Sequence, residues 1–264
     1  MRVASLFVHP VKGCRAVPVN AMRVERWGAV GDRCWMVVDE GGRFQTQREV
    51  PALATVVANL TDDGLELDAP GMERIAVKAP EPGTKLTDVR VWKADFQAVE
   101  ASTDGHEWFS DFLGIKARLV WLDDPNRRPP REDDGARATF SDGYPLLATN
   151  EASLDDLNRR LEAEGEDKLL MNRFRPNLVI DGAEQWAEDH WTTLRLPDIE
   201  LTNAKPCGRC VVTTTDQETG ERRGKQPLKI LAKFRLVNQK MLFGVNLTLT
   251  EPGSIKVGDE ISPG

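Results

Sequence analysis

A mostly β fold with a few helices, α+β in class, is predicted by three features of the sequence. Short β-branched or aromatic runs separated by Asp/Gly turns fill the first hundred residues. Two segments with helical apolar spacing and glycine stops occupy the middle. β-Branched runs return in the last third.

In chain order, Arg2 to His9 reads as a strand stopped by Pro10. Cys34 to Val38 runs through Asp39-Glu40-Gly41-Gly42 into Arg43 to Thr46, a hairpin signal. Val56 to Leu60 and Leu65 to Leu67 flank Asp62-Asp63-Gly64 as a second hairpin, and Asp88 to Trp92 adds a strand. Short strands at this spacing predict a barrel or a strongly twisted sheet. Gly105 to Gly114 carries helical apolar spacing and ends on a glycine cap. Asn150 is placed to N-cap a helix from Glu151 to Glu164, with Leu154, Leu157 and Leu161 on one face and Gly165 closing it. Phe140 to Pro145 is a turn before an apolar strand. Asn177 to Ile180 is a strand, and Thr193 to Leu196 turns at Pro197-Asp198 into Ile199 to Thr202. The run Val211-Val212-Thr213-Thr214-Thr215 reads as a strand as well. Pro227 starts a short helix through Lys233, and strands at Leu242 to Thr250 and Ile255 to Ile261 flank a final turn. No solenoid period or heptad repeat occurs.

At 264 residues the chain can form one large or two ordinary domains, and 40% hydrophobic with 29% charged residues is the balance of a soluble globular protein. Four cysteines are too few for a disulfide framework. Pro10, Lys12, Gly13 and Arg15 interrupt the first twenty residues, so no signal peptide or membrane span is read there and a reducing, cytoplasmic setting is expected. A net charge of −7 argues against nucleic-acid and membrane-surface binding. The mixed-charge run Asn126 to Gly135 reads as a solvated loop, with a lid over a site as the alternative.

The most informative chemistry lies in Cys207-Gly208-Arg209-Cys210. A thioredoxin-like pair would open a helix, and a zinc knuckle would need a second thiol pair, whereas Cys14 and Cys34 stand alone and far upstream. Three readings stay open: a nucleophilic thiolate, a soft-metal ligand, or two buried small apolar residues. Lys12 in a turn, Arg33 at a strand entry, Arg175 held extended by Pro176, and Arg209 could together hold a polyanion; four unrelated surface cations are the alternative. His9, His106 and His190 read as structural or surface residues. Phosphate loops, a serine nucleophile elbow and iron–sulfur spacing are missing, so nucleotide and iron–sulfur cofactors are not expected, nor is pyridoxal phosphate.

Taken in order, His9-Pro10-Val11-Lys12-Gly13-Cys14, Asp32-Arg33-Cys34-Trp35, Ser141-Asp142, Asn150 to Leu154, Phe174-Arg175-Pro176-Asn177, Cys207 to Cys210, Phe243-Gly244 and Pro252 to Asp259 form an ordered series over nearly the whole chain. It resembles the MOSC-domain proteins with an N-terminal β-barrel partner domain, the family of the mitochondrial amidoxime-reducing component and its bacterial relatives. The resemblance implies an N-terminal β-barrel domain over residues 1–122 packed on a MOSC β-barrel domain over residues 123–264. It also implies a molybdenum cofactor (molybdopterin) whose metal takes a third sulfur from Cys210. Lys12, Arg33, Arg175 and Arg209 would then surround the pterin phosphate and the oxo groups. Asn177 and the backbone near Gly13, Gly143, Tyr144 and Gly208 would add contacts, and Asp142 would lie close by as a candidate proton-handling group. The implied activity is two-electron reduction of N-hydroxylated small molecules with electrons from a separate redox protein. The competing implication is a non-catalytic pterin or sulfur carrier bearing a persulfide on Cys210. Gly13 and Gly208 replace a serine frequent in relatives, Gly143-Tyr144 replaces a hydroxyl-rich pair, Asn246 replaces an aromatic residue, and a ferredoxin-like domain of the kind some bacterial relatives append is not expected.

Overall fold

A computed structural model describes residues 1–264. Its largest unit is a nine-stranded sheet in the order Ser262–Pro263, Thr193–Leu196, Ile199–Arg209, Lys240–Thr248, Leu146–Asn150, Leu178–Asp181, Arg2–Val8, Val17–Val19, with Leu236–Val237 hairpinned onto Lys240–Thr248. Only Leu146–Asn150 and Leu178–Asp181 pair in parallel, and the Glu151–Ala163 helix makes the crossover between them. A three-stranded sheet joins Ala21–Glu25 to Gly253–Lys256 and Gly28–Ala29, so both ends of the chain build one core.

Between these ends, Trp35–Val38, Arg118–Trp121, Ala94–Glu100 and Leu86–Val91 form a four-stranded sheet, and Val57–Thr61, Gly64–Asp68 and Ile75–Lys78 a three-stranded one. Trp35, Met36, Val37 and Val38 are all buried because the four-stranded sheet has a core on each face. A strand covered on both sides reads as a continuous apolar run, and Trp-Met-Val-Val is such a run. The architecture is therefore mostly β with three α-helices, the N-terminal part barrel-like, as the sequence predicts. No helix is long and apolar enough to cross a membrane.

Three local expectations are corrected. Val211–Thr214 is a 3₁₀ turn rather than a strand. The Thr213 and Thr214 hydroxyls donate to the carbonyls of Cys210 and Val211 at 2.9 and 2.7 Å, closing a tight turn that β propensity alone does not foresee. Arg175 is not extended but left-handed, at φ 54°, because its N–H closes the Met171–Phe174 turn on the Asn172 carbonyl. Of Ile255 to Ile261 only Ile255 and Lys256 are strand, the end of Gly253–Lys256; Gly258 turns at φ 92°, Asp259 accepts from the Lys256 N–H at 2.7 Å, and the next strand begins at Ser262.

Candidate functional site

The long strand Ile199–Arg209 carries Cys207 and Gly208 to its end, and Cys210 is the hinge into the 3₁₀ turn. At this hinge the two halves of the chain meet around a cavity of about 580 Å³. Lys12, Gly13, Arg33, Asp142, Gly143, Tyr144, Arg175, Asn177, Gly208, Arg209 and Cys210 all line it. Every site residue expected from the sequence is thus in one place. The wall carries eight cations, Lys12, Arg33, Arg48, Arg131, Arg175, Lys205, Arg209 and Lys240, against one acid, Asp142. In a chain with seven more acidic than basic residues, this clustering is specific to the cavity.

The cations are held individually. Lys12 is buried, donating to the Phe140 carbonyl at 2.7 Å and to Asp142 Oδ1 at 2.5 Å. Burial lowers the Lys12 pKa, an effect the Asp142 charge opposes. Burial would raise the pKa of the Asp142 carboxyl, yet Lys12 and then Arg48 outweigh it and hold that carboxyl well below the usual range. The side chain remains 54% exposed, so it is an ionised rim group and a poor proton donor near neutrality. Arg33 pairs with buried Asp32 at 2.5 Å and donates to Asn177 Oδ1 at 3.1 Å and to the Arg175 carbonyl at 3.3 Å. Arg175 donates to the Gln217 amide oxygen at 3.1 Å rather than to a carboxylate. Burial, followed by repulsion from Arg33, lowers its pKa to about 10, which leaves it a cation at neutral pH. Arg33 and Arg175 both sit at positive φ, 48° and 54°. Such strain costs on the order of 1–3 kcal/mol per residue and concentrates where a side chain must be aimed.

Within the cysteine motif, the arginine and the second thiol are served separately. Arg209 Nη1 donates to Cys207 Sγ at 2.9 Å and Nη2 to the Phe174 carbonyl at 2.6 Å, so its guanidinium serves the first cysteine. The cation at Cys210 Sγ is Arg48, whose Nη2 lies 3.3 Å away. Arg48 also sits 3.6 Å from Asp142 and stacks over the Trp92 ring at 4.6 Å. The sequence reading missed Arg48, since Thr46-Gln47-Arg48-Glu49 offers no local sign of a thiol lying 162 residues away. Cys210 is partly exposed, as is Cys34, and Cys14 is buried; burial drives the Cys14 and Cys34 thiols up to about 12.

The remaining residues shape the wall. Asn177 is buried and bridges Arg33, the Leu147 N–H and the Phe7 carbonyl. Gly13 sits at φ 87°, which favours glycine, whereas a Cβ at Gly208 would meet only the flexible Lys240 side chain at 3.2 Å. A Cβ on Gly143 would lie 2.9 Å from Arg131 Nη1. Tyr144 is clasped between Arg131 and Lys205, 4.7 and 4.8 Å from its ring centre, and donates its hydroxyl to Asp134. The segment expected as a loop or lid thus reaches the site through Arg131 and Asp134.

A soft thiol within a cage of cations suits an anionic, sulfur-ligated metal group. Residues 1–116 match the MOSC N-terminal beta barrel domain and residues 135–262 the MOSC domain. The mitochondrial amidoxime reducing component 2 of Bos taurus is 34% identical over 279 residues, covering 98% of this chain and 82% of that one. The mitochondrial amidoxime-reducing component 1 of Mus musculus is 34% identical over 281 residues, covering 98% and 81%. Component 1 of Homo sapiens is 34% identical over 280 residues, covering 98% and 82%. With similarity of this extent on both sides, the chain belongs to the family of MOSC proteins that includes the mitochondrial amidoxime-reducing components.

Proposed function

We propose that this protein is a molybdenum-cofactor-dependent reductase that reduces N-hydroxylated small molecules by two electrons. The N–O bond is cleaved and water is released, with two electrons from a separate redox protein and two protons taken up from solvent. One observation carries the reading: a partly exposed thiol, Cys210, opens into a cavity lined by eight cations and one acid. The relatives are named for amidoximes, which are N-hydroxylated amidines.

The residues present fit the group. Cys210 Sγ is the metal ligand, and Arg48 holds that sulfur at 3.3 Å. Lys12, Arg33, Arg175 and Arg209 would hold the cofactor's anionic groups, as guanidinium forks and an ammonium do for anions in general. Asn177 and the backbone at Gly13, Gly143 and Gly208 supply neutral contacts, and Tyr144 closes one wall. When bound, a molybdenum cofactor supplies the two-electron chemistry; the chain supplies binding, orientation and charge. Asp142, ionised between Lys12 and Arg48, orients those cations rather than protonating a substrate.

Protein purified from a host that makes the cofactor tests this directly. About one molybdenum per chain is expected, lost in Cys210→Ala, with amidoxime reduction by a supplied reductant lost in parallel. Metal-free protein carrying a labile sulfur on Cys210 would instead make the chain a carrier and overturn the proposal.

A further inference from the structure

A buried amide pair spans the two halves of the chain behind Arg175. Gln47 is 1% exposed and Gln217 3%. Gln47 Nε2 donates to Gln217 Oε1 at 3.1 Å and to the Gly13 carbonyl at 2.7 Å. Gln217 Nε2 donates back to Gln47 Oε1 at 2.9 Å and to the Thr215 carbonyl at 3.2 Å. Each amide nitrogen thereby uses both of its hydrogens, and flipping either amide would set donor against donor. The second acceptor site of Gln217 Oε1 takes Arg175 Nη1 at 3.1 Å.

We propose that Gln217, locked by Gln47, is a positioning residue that aims Arg175 into the cavity while leaving its charge free for an anionic ligand. The neighbouring pair supplies the contrast. Two residues before Arg175, Arg173 meets Asp216, the residue before Gln217, in an ion pair at 2.9 Å. Arg173 is thus neutralised and does not line the cavity, whereas Arg175 lines it and has a neutral partner. A carboxylate at position 217 would compete with any bound anion for the guanidinium. An apolar side chain there would leave a left-handed backbone, unfavourable before Pro176, with no side-chain anchor. The amide satisfies both demands. It also carries the N-terminal half into the site, since Gln47 and Gly13 fix its orientation from that side.

The inference rests on the molybdenum-cofactor reading, and the experiment separates the two. Gln217→Leu, Arg175→Ala and the double variant are purified from a cofactor-competent host, and molybdenum and released pterin are measured per chain. Gln217→Leu is expected to weaken cofactor retention roughly tenfold, as loss of a residue supporting a ligand-binding group does. The double variant is expected to retain no less than Arg175→Ala alone, because both changes act through one guanidinium. Gln217→Glu keeps the acceptor for Arg175 but adds a charge and sets carboxylate oxygens against the Gln47 amide oxygen and the Thr215 carbonyl, so it is expected to lose cofactor as well. Wild-type retention in Gln217→Leu or Gln217→Glu, or a double variant losing the product of the two single losses, would overturn the positioning role alone. Wild-type protein without molybdenum would overturn the cofactor reading, and this inference with it. Should Gln217→Leu fail to fold, Gln217→Met, uncharged and of nearly the same length and volume, decides by the same readouts.

Discussion

Asp32 anchors the cavity from below. It is 1% exposed, accepts the His9 N–H at 2.7 Å and pairs with Arg33 at 2.5 Å. Burial alone would raise its pKa, but the Arg33 charge and the His9 contact bring it down from 3.8 to about 2. A carboxyl depressed on folding stabilises the native state above its unfolded pKa, and that contribution is lost as pH falls through the folded value. The pair should therefore give on the order of 2 kcal/mol at neutral pH, lost between about pH 4 and pH 2. His9, held neutral by burial and by Arg33, adds a separate loss that begins higher, near its ordinary pKa of 6.5. Urea unfolding of wild type and Asp32→Asn should show the variant lacking the lower of these two losses. Equal losses below pH 4 would contradict the assignment. Arg33 was legible in the sequence as a cation at a strand entry, whereas its pairing with the preceding Asp32 was not. Arg48 was not, because its role arises only when two segments far apart in sequence meet at Cys210.

Asn150 links an element to its neighbours. Its Oδ1 caps the Glu151–Ala163 helix at the Ala152 N–H, while its Nδ2 donates to the Glu184 carbonyl and to Glu188 Oε2 at 3.0 Å. Glu188 is fully buried, and burial raises its pKa. Asn150→Ala should cost about 2–4 kcal/mol, a lost cap plus a carboxyl left short of a donor. Asn150→Asp keeps the cap but sets a second carboxylate against Glu188, so its melting temperature should fall further below wild type as pH rises. A pH-independent difference would refute that. The helix was readable because its capping signal is local, and the hairpin of Val57–Thr61 and Gly64–Asp68 was readable from its Asp-Asp-Gly turn. Ala94–Glu100 and Arg118–Trp121 escaped notice. The first mixes Ala, Asp, Gln and Glu into its run, and the second is four residues long and paired to Trp35–Val38, some eighty positions upstream. The first is a strand because of its partners rather than its composition, while the second has a strand-favouring composition in a run too short to stand out. The Cys210 turn failed in the other direction: threonine hydroxyls bonded to the local backbone overrode β propensity.

Across the whole molecule, the division expected after residue 122 is crossed by the first strands. Arg2–Val8 pairs with Leu178–Asp181, and Ala21–Glu25 with Gly253–Lys256. Val3, Leu6, Val8, Met22, Val24 and Ala29 belong to the same 19-residue core as Leu146, Leu178, Val245 and Ile255. Burying the five larger of these side chains contributes about 1.5–3 kcal/mol each, on the order of 10 kcal/mol together before the entropy cost of ordering them. That equals the entire stability of a typical domain, about 5–15 kcal/mol. Residues 123–264 expressed alone should therefore show no cooperative thermal transition, and co-expression with residues 1–122 should restore one. The same strands lead directly into Lys12 and Arg33, so any condition that detaches them also dismantles the cation cage. A cooperative transition and native near-ultraviolet dichroism in the isolated fragment would show that its core closes without the N-terminal strands. The cavity would then be a junction of two self-sufficient domains rather than a product of one interleaved fold.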